Sequence, residues 1–173
     1  MIVARPAAGE YAPFYAGYIS AVPEGDLLQL LASQRDDTVR LLGTIDAAKA
    51  KHRYAEGKWS IAEVLGHIID AERVFTYRAM TFARGDATAL PSFDENAWAV
   101  ASNAGRRPMQ SLLAEYQGVR EATIQLFTSF GDEEFARSGV ASKNPVTVRA
   151  LAYIVVGHER HHLRILRERY LNH

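Results

Sequence analysis

"GDATALPSFDENAWAVASNAGRRP", residues 85–108, puts 24 residues with no helical period between two helical stretches of a 173-residue chain. Antiparallel neighbours in a bundle are usually joined by about 2–8 residues. A connection this long lets the chain travel back along the bundle, so the helices it joins run parallel. Within it, Asp94, Glu95, Asn96 and Trp98 either line the mouth of a site or anchor the crossover.

On both sides of this segment apolar residues recur at 3.6-type spacing, and no stretch alternates like a strand. The first helical stretch runs from Asp26 to Ala50, with Leu27, Leu31, Leu42 and Ile45 on its apolar side and Asp26 as N-cap. The second opens at "KWSIAEV", where Ser60 and Glu63 fit a capping box and Trp59 with Val64 fits a hydrophobic staple. It is expected to run to about Arg84 and stop at Gly85. The third covers Met109 to Phe130, with Leu112, Leu113, Tyr116, Val119, Leu126 and Phe127 inward. The fourth covers Val146 to Tyr170, capped either by Asn144 with Pro145 at the first helical position or by Thr147. Upstream, Tyr11, Phe14, Tyr15 and Tyr18 form an aromatic stripe on a short helix, either an arm packed over the bundle or an aromatic substrate box.

Composition narrows the function. Lys+Arg and Asp+Glu balance at 20 each, so neither nucleic acid nor an anionic membrane is favoured as a partner. No apolar run reaches the roughly 18 residues that span a bilayer. The N-terminus lacks the apolar core of a secretory signal, and a cytoplasmic location follows by default. There is no cysteine, so any metal must be held by His, Asp or Glu. The length suits one domain, residues 1–173.

The fourth helix carries "GHERHHLRIL", residues 157–166, which contains the H-E-x-x-H spacing of zinc proteases as His158, Glu159 and His162. At about 100° per residue, His158 and His162 both fall inside the apolar stripe, and His161 lies on its shoulder. Two stacked imidazoles in a core need partners, since an unpaired buried polar group costs roughly 1–3 kcal/mol. Either one divalent ion serves both, or carbonyls and a carboxylate do. The protease reading fails on ligand supply: Ile165 and Glu168 stand where the extended motif needs Gly and His, and only eleven residues follow His162. His173 is terminal and is set aside as a ligand. His52 sits among charges and is expected to be solvated.

His67, in the second helix, is the remaining candidate. It lies about 10 Å from the start of its helix, while His158 and His162 lie about 12–18 Å from the end of theirs. The levels match if helices two and four are antiparallel, as the long crossover requires, and miss by about 10 Å if they are parallel. The expected fold is therefore an all-α, up-down-down-up four-helix bundle with a long crossover between helices two and three and a short N-terminal helical arm.

"KWSIAEVLGHIIDAERVFTYRAMTFARGD", "PSFDENAW" and "VTVRALAYIVVGHERHHLRIL" together resemble the DinB/YfiT-like superfamily over most of the chain. The resemblance implies the same bundle, often dimeric, and a three-histidine divalent metal site on His67, His158 and His162. It also implies kinship with metal-dependent hydrolases and with thiol S-transferases that use a low-molecular-weight thiol.

Three neutral imidazoles leave a divalent ion an open position, which is the catalytic rather than the structural pattern. Such an ion activates water for hydrolysis or a small thiol for transfer to an electrophile. Zinc is the default and nickel is equally compatible with imidazole. Glu159 is either a general base or a solvated helix residue. Glu72 falls among Ile68, Phe75 and Leu65, where a carboxylate orients a ligand histidine, pairs with an arginine such as Arg169, or sits at a wet bundle end. A dinuclear carboxylate site is disfavoured, because Glu159 with His162 is the lone Glu-x-x-His pair. The non-catalytic alternative is a metal-binding or dimeric interaction bundle with a closed coordination sphere.

Overall fold

The computed structural model describes residues 3–171. A 3₁₀ turn, Pro13–Tyr15, leads into α1, Ala16–Ser20; then come α2, Leu27–Leu42, α3, Ala47–Ala50, and α4, Ile61–Ala83. The crossover holds α5, Glu95–Ala101, and a 3₁₀ turn, Ala104–Arg106, before α6, Met109–Thr128. After α7, Asp132–Ala136, a hairpin of β1, Ser138–Ala141, and β2, Asn144–Thr147, delivers the chain to α8, Val148–Ile165, which ends in a π turn, Leu166–Leu171.

The caps explain where the bundle helices start. Asp26 accepts from the amides of Leu28 and Gln29, Ser60 and Glu63 close a reciprocal capping box, and Thr147 accepts from Ala150 N. Each satisfies N–H groups that a helix start leaves free. Asn144 is a strand residue, so Thr147 is the cap of the fourth helix. The first helix is shorter than its apolar pattern: it ends at Leu42, and Asp46 caps the separate turn α3 by accepting from Lys49 N.

Two apolar clusters fix the topology. One gathers Leu27 and Leu31 from the start of α2, Phe75 and Phe82 from the second half of α4, Phe127 from the end of α6 and Leu151 from the first half of α8. The other gathers Leu42, Ile61, Leu65, Leu112 and Leu163 from the opposite ends of the same four helices. Thus α2 and α8 run one way, α4 and α6 the other: up-down-down-up, with the crossover joining the parallel pair. No helix among the described residues is long and apolar enough to cross a membrane.

The hairpin is an addition to the helical expectation. Its turn residues, Ser142 and Lys143, both have positive φ, 52° and 66°, the two-residue geometry that matches strand twist. The hairpin pins the crossover: Leu90 N bonds Val140 O at 2.9 Å, and buried Arg78 of α4 reaches Pro91 O at 2.7 Å and Ser142 Oγ at 3.0 Å.

Two segments from outside the bundle lie against its helices at glycines. A Cβ on Gly66 would meet the Ala104 Cβ of the crossover at 2.7 Å, and one on Gly157 would run into the Tyr18 carbonyl of the N-terminal arm. Gly66 precedes His67 and Gly157 precedes His158.

Candidate metal centre

The antiparallel packing of α4 against α8 brings His67 to the level of His158 and His162. His67 Nε2 lies 3.0 Å from His158 Nε2, and His162 Nε2 lies 3.1 Å from the same atom. All three ligating atoms fall within 4.8 Å of one another, and neither His161 nor Glu72 joins this group. His67 and His158 are buried, while His162 is partly exposed.

Aromatic rings wall the triad. Trp59 packs on His67 at 4.7 Å and on His162 at 6.5 Å between ring centroids. Tyr18 and Phe75 meet His158 edge-on at 5.4 and 5.6 Å. The Tyr11–Tyr18 arm is therefore both packing and wall: Tyr15 contacts Phe75 at 6.1 Å, whereas Phe14 is exposed.

This apolar shell keeps the imidazoles neutral. Desolvation lowers His67 to about 4, against a raising pull from the Glu95 carboxylate. Desolvation lowers His162 to about 3, helped by the charges of His67 and His161, and drives His158 well below the ordinary histidine range. Neutral imidazoles offer lone pairs.

Solvent reaches the triad at His162, through a cleft of ≈ 230 Å³ that Tyr54, Trp59, Asn96 and Tyr170 also line. In the crossover, Asn96 lines this mouth and Glu95 acts on His67. Asp94 instead caps α5, accepting from Asn96 N and Ala97 N, and Trp98 packs on Phe93 at 4.9 Å. His52, expected in solvent, is half-buried with its ring 6.1 Å from Tyr170, and His173 lies outside the described residues.

Beside the histidines sits a second buried polar cluster. Glu159 Oε1 accepts from Thr38 Oγ1 and Tyr116 Oη, both at 2.6 Å. Its Oε2 accepts from Gln34 Nε2 and Arg120 Nη2, both at 2.5 Å. All four acceptor positions of the carboxylate are filled. Arg120 also clasps Glu72 with Nε and Nη2, at 2.8 and 2.7 Å. Burial alone would lower the Arg120 pKa, but Glu159 and Glu72 outweigh it and hold the guanidinium charged. Glu72 is thus paired with an arginine, Arg120 rather than Arg169, and Glu159 is buried rather than solvated. Arg120, Gln34 and Thr38 escaped the sequence reading. The available signal was polar side chains interrupting the apolar stripes, Gln34 and Thr38 in α2 and Arg120 in α6.

A four-helix bundle carrying three converging imidazoles from antiparallel helices defines a class of helical proteins with an all-imidazole candidate metal centre. The chain belongs to the DinB superfamily, whose family model matches residues 30–166. It is similar to "Putative metal-dependent hydrolase OB0413" of Oceanobacillus iheyensis, 23% identical over 137 residues, which cover 79% of this chain and 77% of that protein. It is 25% identical over 111 residues to a Geobacillus thermodenitrificans protein named "Putative metal-dependent hydrolase", covering 63% of this chain and 62% of the relative. Among solved structures it resembles YfiT from Bacillus subtilis, described as "a probable metal-dependent hydrolase with an unusual four-helix bundle topology". The TM-score is 0.76 at 19% identity, over 93% of this chain and 92% of that one. A mycothiol-dependent maleylpyruvate isomerase shares the fold with TM-score 0.62 at 15% identity, over 82% of this chain and 60% of that one.

Proposed function

We propose that this chain is a divalent-metal-dependent enzyme for a small molecule, with His67, His158 and His162 holding one ion through Nε2. The observation that carries the reading is the pair of 3.0 and 3.1 Å separations between those atoms. Ligand nitrogens about 2.0–2.1 Å from a common ion, at angles near 95–110°, stand roughly 3.0–3.4 Å apart. Zinc fits this donor set, and nickel fits it equally. When bound, the ion supplies a Lewis acid that activates water, or a thiol, at neutral pH.

The chain's own groups do the rest. Burial keeps the imidazoles neutral and available to a cation. Trp59, Tyr18 and Phe75 shield the ring faces from bulk water, and the cleft at His162 admits the substrate. That opening supports an enzyme over a closed structural site. Glu159, with its acceptor positions occupied, serves to hold α8 in register rather than to move a proton. Glu72 acts with it through Arg120.

Hydrolysis is the reading favoured by the names of the metal-dependent relatives. Transfer of a low-molecular-weight thiol is the second reading, favoured by the fold shared with a mycothiol-dependent enzyme. The chain is proposed to work as a single domain spanning residues 1–173, as a homodimer in the cytoplasm. The test is metal analysis of the purified protein and of His158→Ala. One ion per chain is expected in the wild type and well under a tenth of that in the variant. Full retention by His158→Ala would overturn the ligand set. An electrophile screen with and without added thiol then separates the two chemistries.

A further inference from the structure

The cleft at His162 opens onto a larger one. Gly57, Trp59 and Asn96 line it, and the same three residues line a neighbouring cleft of ≈ 680 Å³. Together they form a groove that starts at the histidine triad, passes Trp59, and ends among the loop before α4 and the crossover.

The charge of this groove is one-sided. Lys58 lines its inner part, and Lys51, Arg53 and Arg106 line its outer part. Its lining contains a single carboxylate, Glu63, which is already engaged by Arg53 at 2.7 Å and by the amide of Ser60 at 2.7 Å. Lys51, Lys58 and Arg106 are exposed, and none has an ion-pair partner among the described residues. The chain as a whole is neutral, with 20 cationic and 20 anionic side chains, so three uncompensated cations around one groove are a local excess. The start of the 23-residue helix α4 lies in the same wall at Ser60, and a helix N-terminus adds positive potential. A concave site lined by one sign of charge concentrates ligands of the opposite sign.

We propose that this groove binds the acidic part of an extended small molecule, carboxylate- or phosphate-bearing, whose reactive group lies at the histidine triad. The proposal rests on the metal reading above and adds the substrate class to it. Lys58 is placed to meet an anionic group near the reacting end. Lys51 and Arg106 meet one further out, and Trp59 provides the flat wall between them.

Isothermal titration calorimetry on the zinc-loaded protein tests this with two probe pairs matched in length but not in charge. Glutathione against its diethyl ester probes carboxylates, and 4′-phosphopantetheine against pantetheine probes a phosphate. In at least one pair the acidic member is expected to bind about tenfold tighter at low salt, with the preference shrinking as salt screens exposed charges. The charge-reversed variant Lys51→Glu/Lys58→Glu/Arg106→Glu should abolish or invert that preference while taking up zinc like the wild type. Equal affinities within both pairs, or a preference that survives charge reversal, overturns the proposal. If the wild type takes up no metal, the metal reading fails instead, and the same pairs titrated into the metal-free protein still decide whether the groove selects acids.

Discussion

Two polar clusters lie side by side along α8, at His158 and at Glu159, and they are bonded in opposite ways. In the Glu72–Arg120–Glu159 cluster donors meet acceptors: one guanidinium clasps two carboxylates, and a phenol, a hydroxyl and an amide complete the set. Gln34 Oε1 is the lone buried side-chain polar atom without a hydrogen bond among the described residues. In the histidine cluster three ring nitrogens face one another, held neutral by burial. The first cluster is answered within the protein at every ionised group and falls short only at Gln34 Oε1. The second brings three nitrogens of one kind together, the arrangement proposed above to hold a cation. Burial alone therefore does not mark a candidate functional site; burial with like nitrogens converging from distant parts of the chain does.

The sharpest way to break this comparison is Arg120→Met. Arg120 is fully buried, and its removal leaves two carboxylates without their counter-charge. Breaking a buried ion pair on one side costs about 3–5 kcal/mol. Urea denaturation should show that loss, and a change below about 1 kcal/mol would mean the cluster is not the clamp described here.

The next effect is on pH. Unfolded histidine titrates near 6.5, whereas folded His67 sits at about 4 and His162 at about 3. In the metal-free protein the unfolded chain binds protons that the folded one refuses. Stability is complete above pH 6.5 and falls as pH drops toward 4. His67 alone contributes on the order of 3 kcal/mol to that slope. Denaturation midpoints of chelator-treated protein measure it, and His67→Ala should flatten the profile. A wild-type midpoint flat from pH 7 to pH 4 would contradict the neutral, buried triad.

The smallest effect carries the opposite sign to the first. His162→Leu removes one of the converging imidazoles from an apolar wall. Metal-free stability should be unchanged or higher by up to about 1 kcal/mol, since groups held for function commonly cost the fold something. A loss above 2 kcal/mol would show that the imidazole answers a partner within the protein, and the contrast between the clusters would fail.

What the sequence disclosed follows the same division between local and distant causes. Asp26, Ser60 with Glu63, and Thr147 act on amides two or three residues away, so their caps are legible in the string. The crossover length and the level of His67 are likewise countable. The hairpin was hidden because its positive-φ turn is Ser142-Lys143 rather than the usual Asn-Gly or Asp-Gly. The early end of α2 at Leu42 was hidden because the apolar spacing continues through Ile45. The partners of Glu159 were hidden for a different reason: they come from α2 and α6, 39 to 125 residues away in the chain. A polar residue inside an apolar stripe announces that it needs a partner and leaves open which one.

The two glycines that precede His67 and His158 carry a last consequence. Gly66 admits the crossover and Gly157 admits the arm, each one residue from an imidazole. The four long helices thus fix the histidine triad, while two segments from outside the bundle lie along its border. A methyl group at either glycine would push its neighbouring segment outward, so the disturbance would be felt first beside the imidazoles and only later in the scaffold.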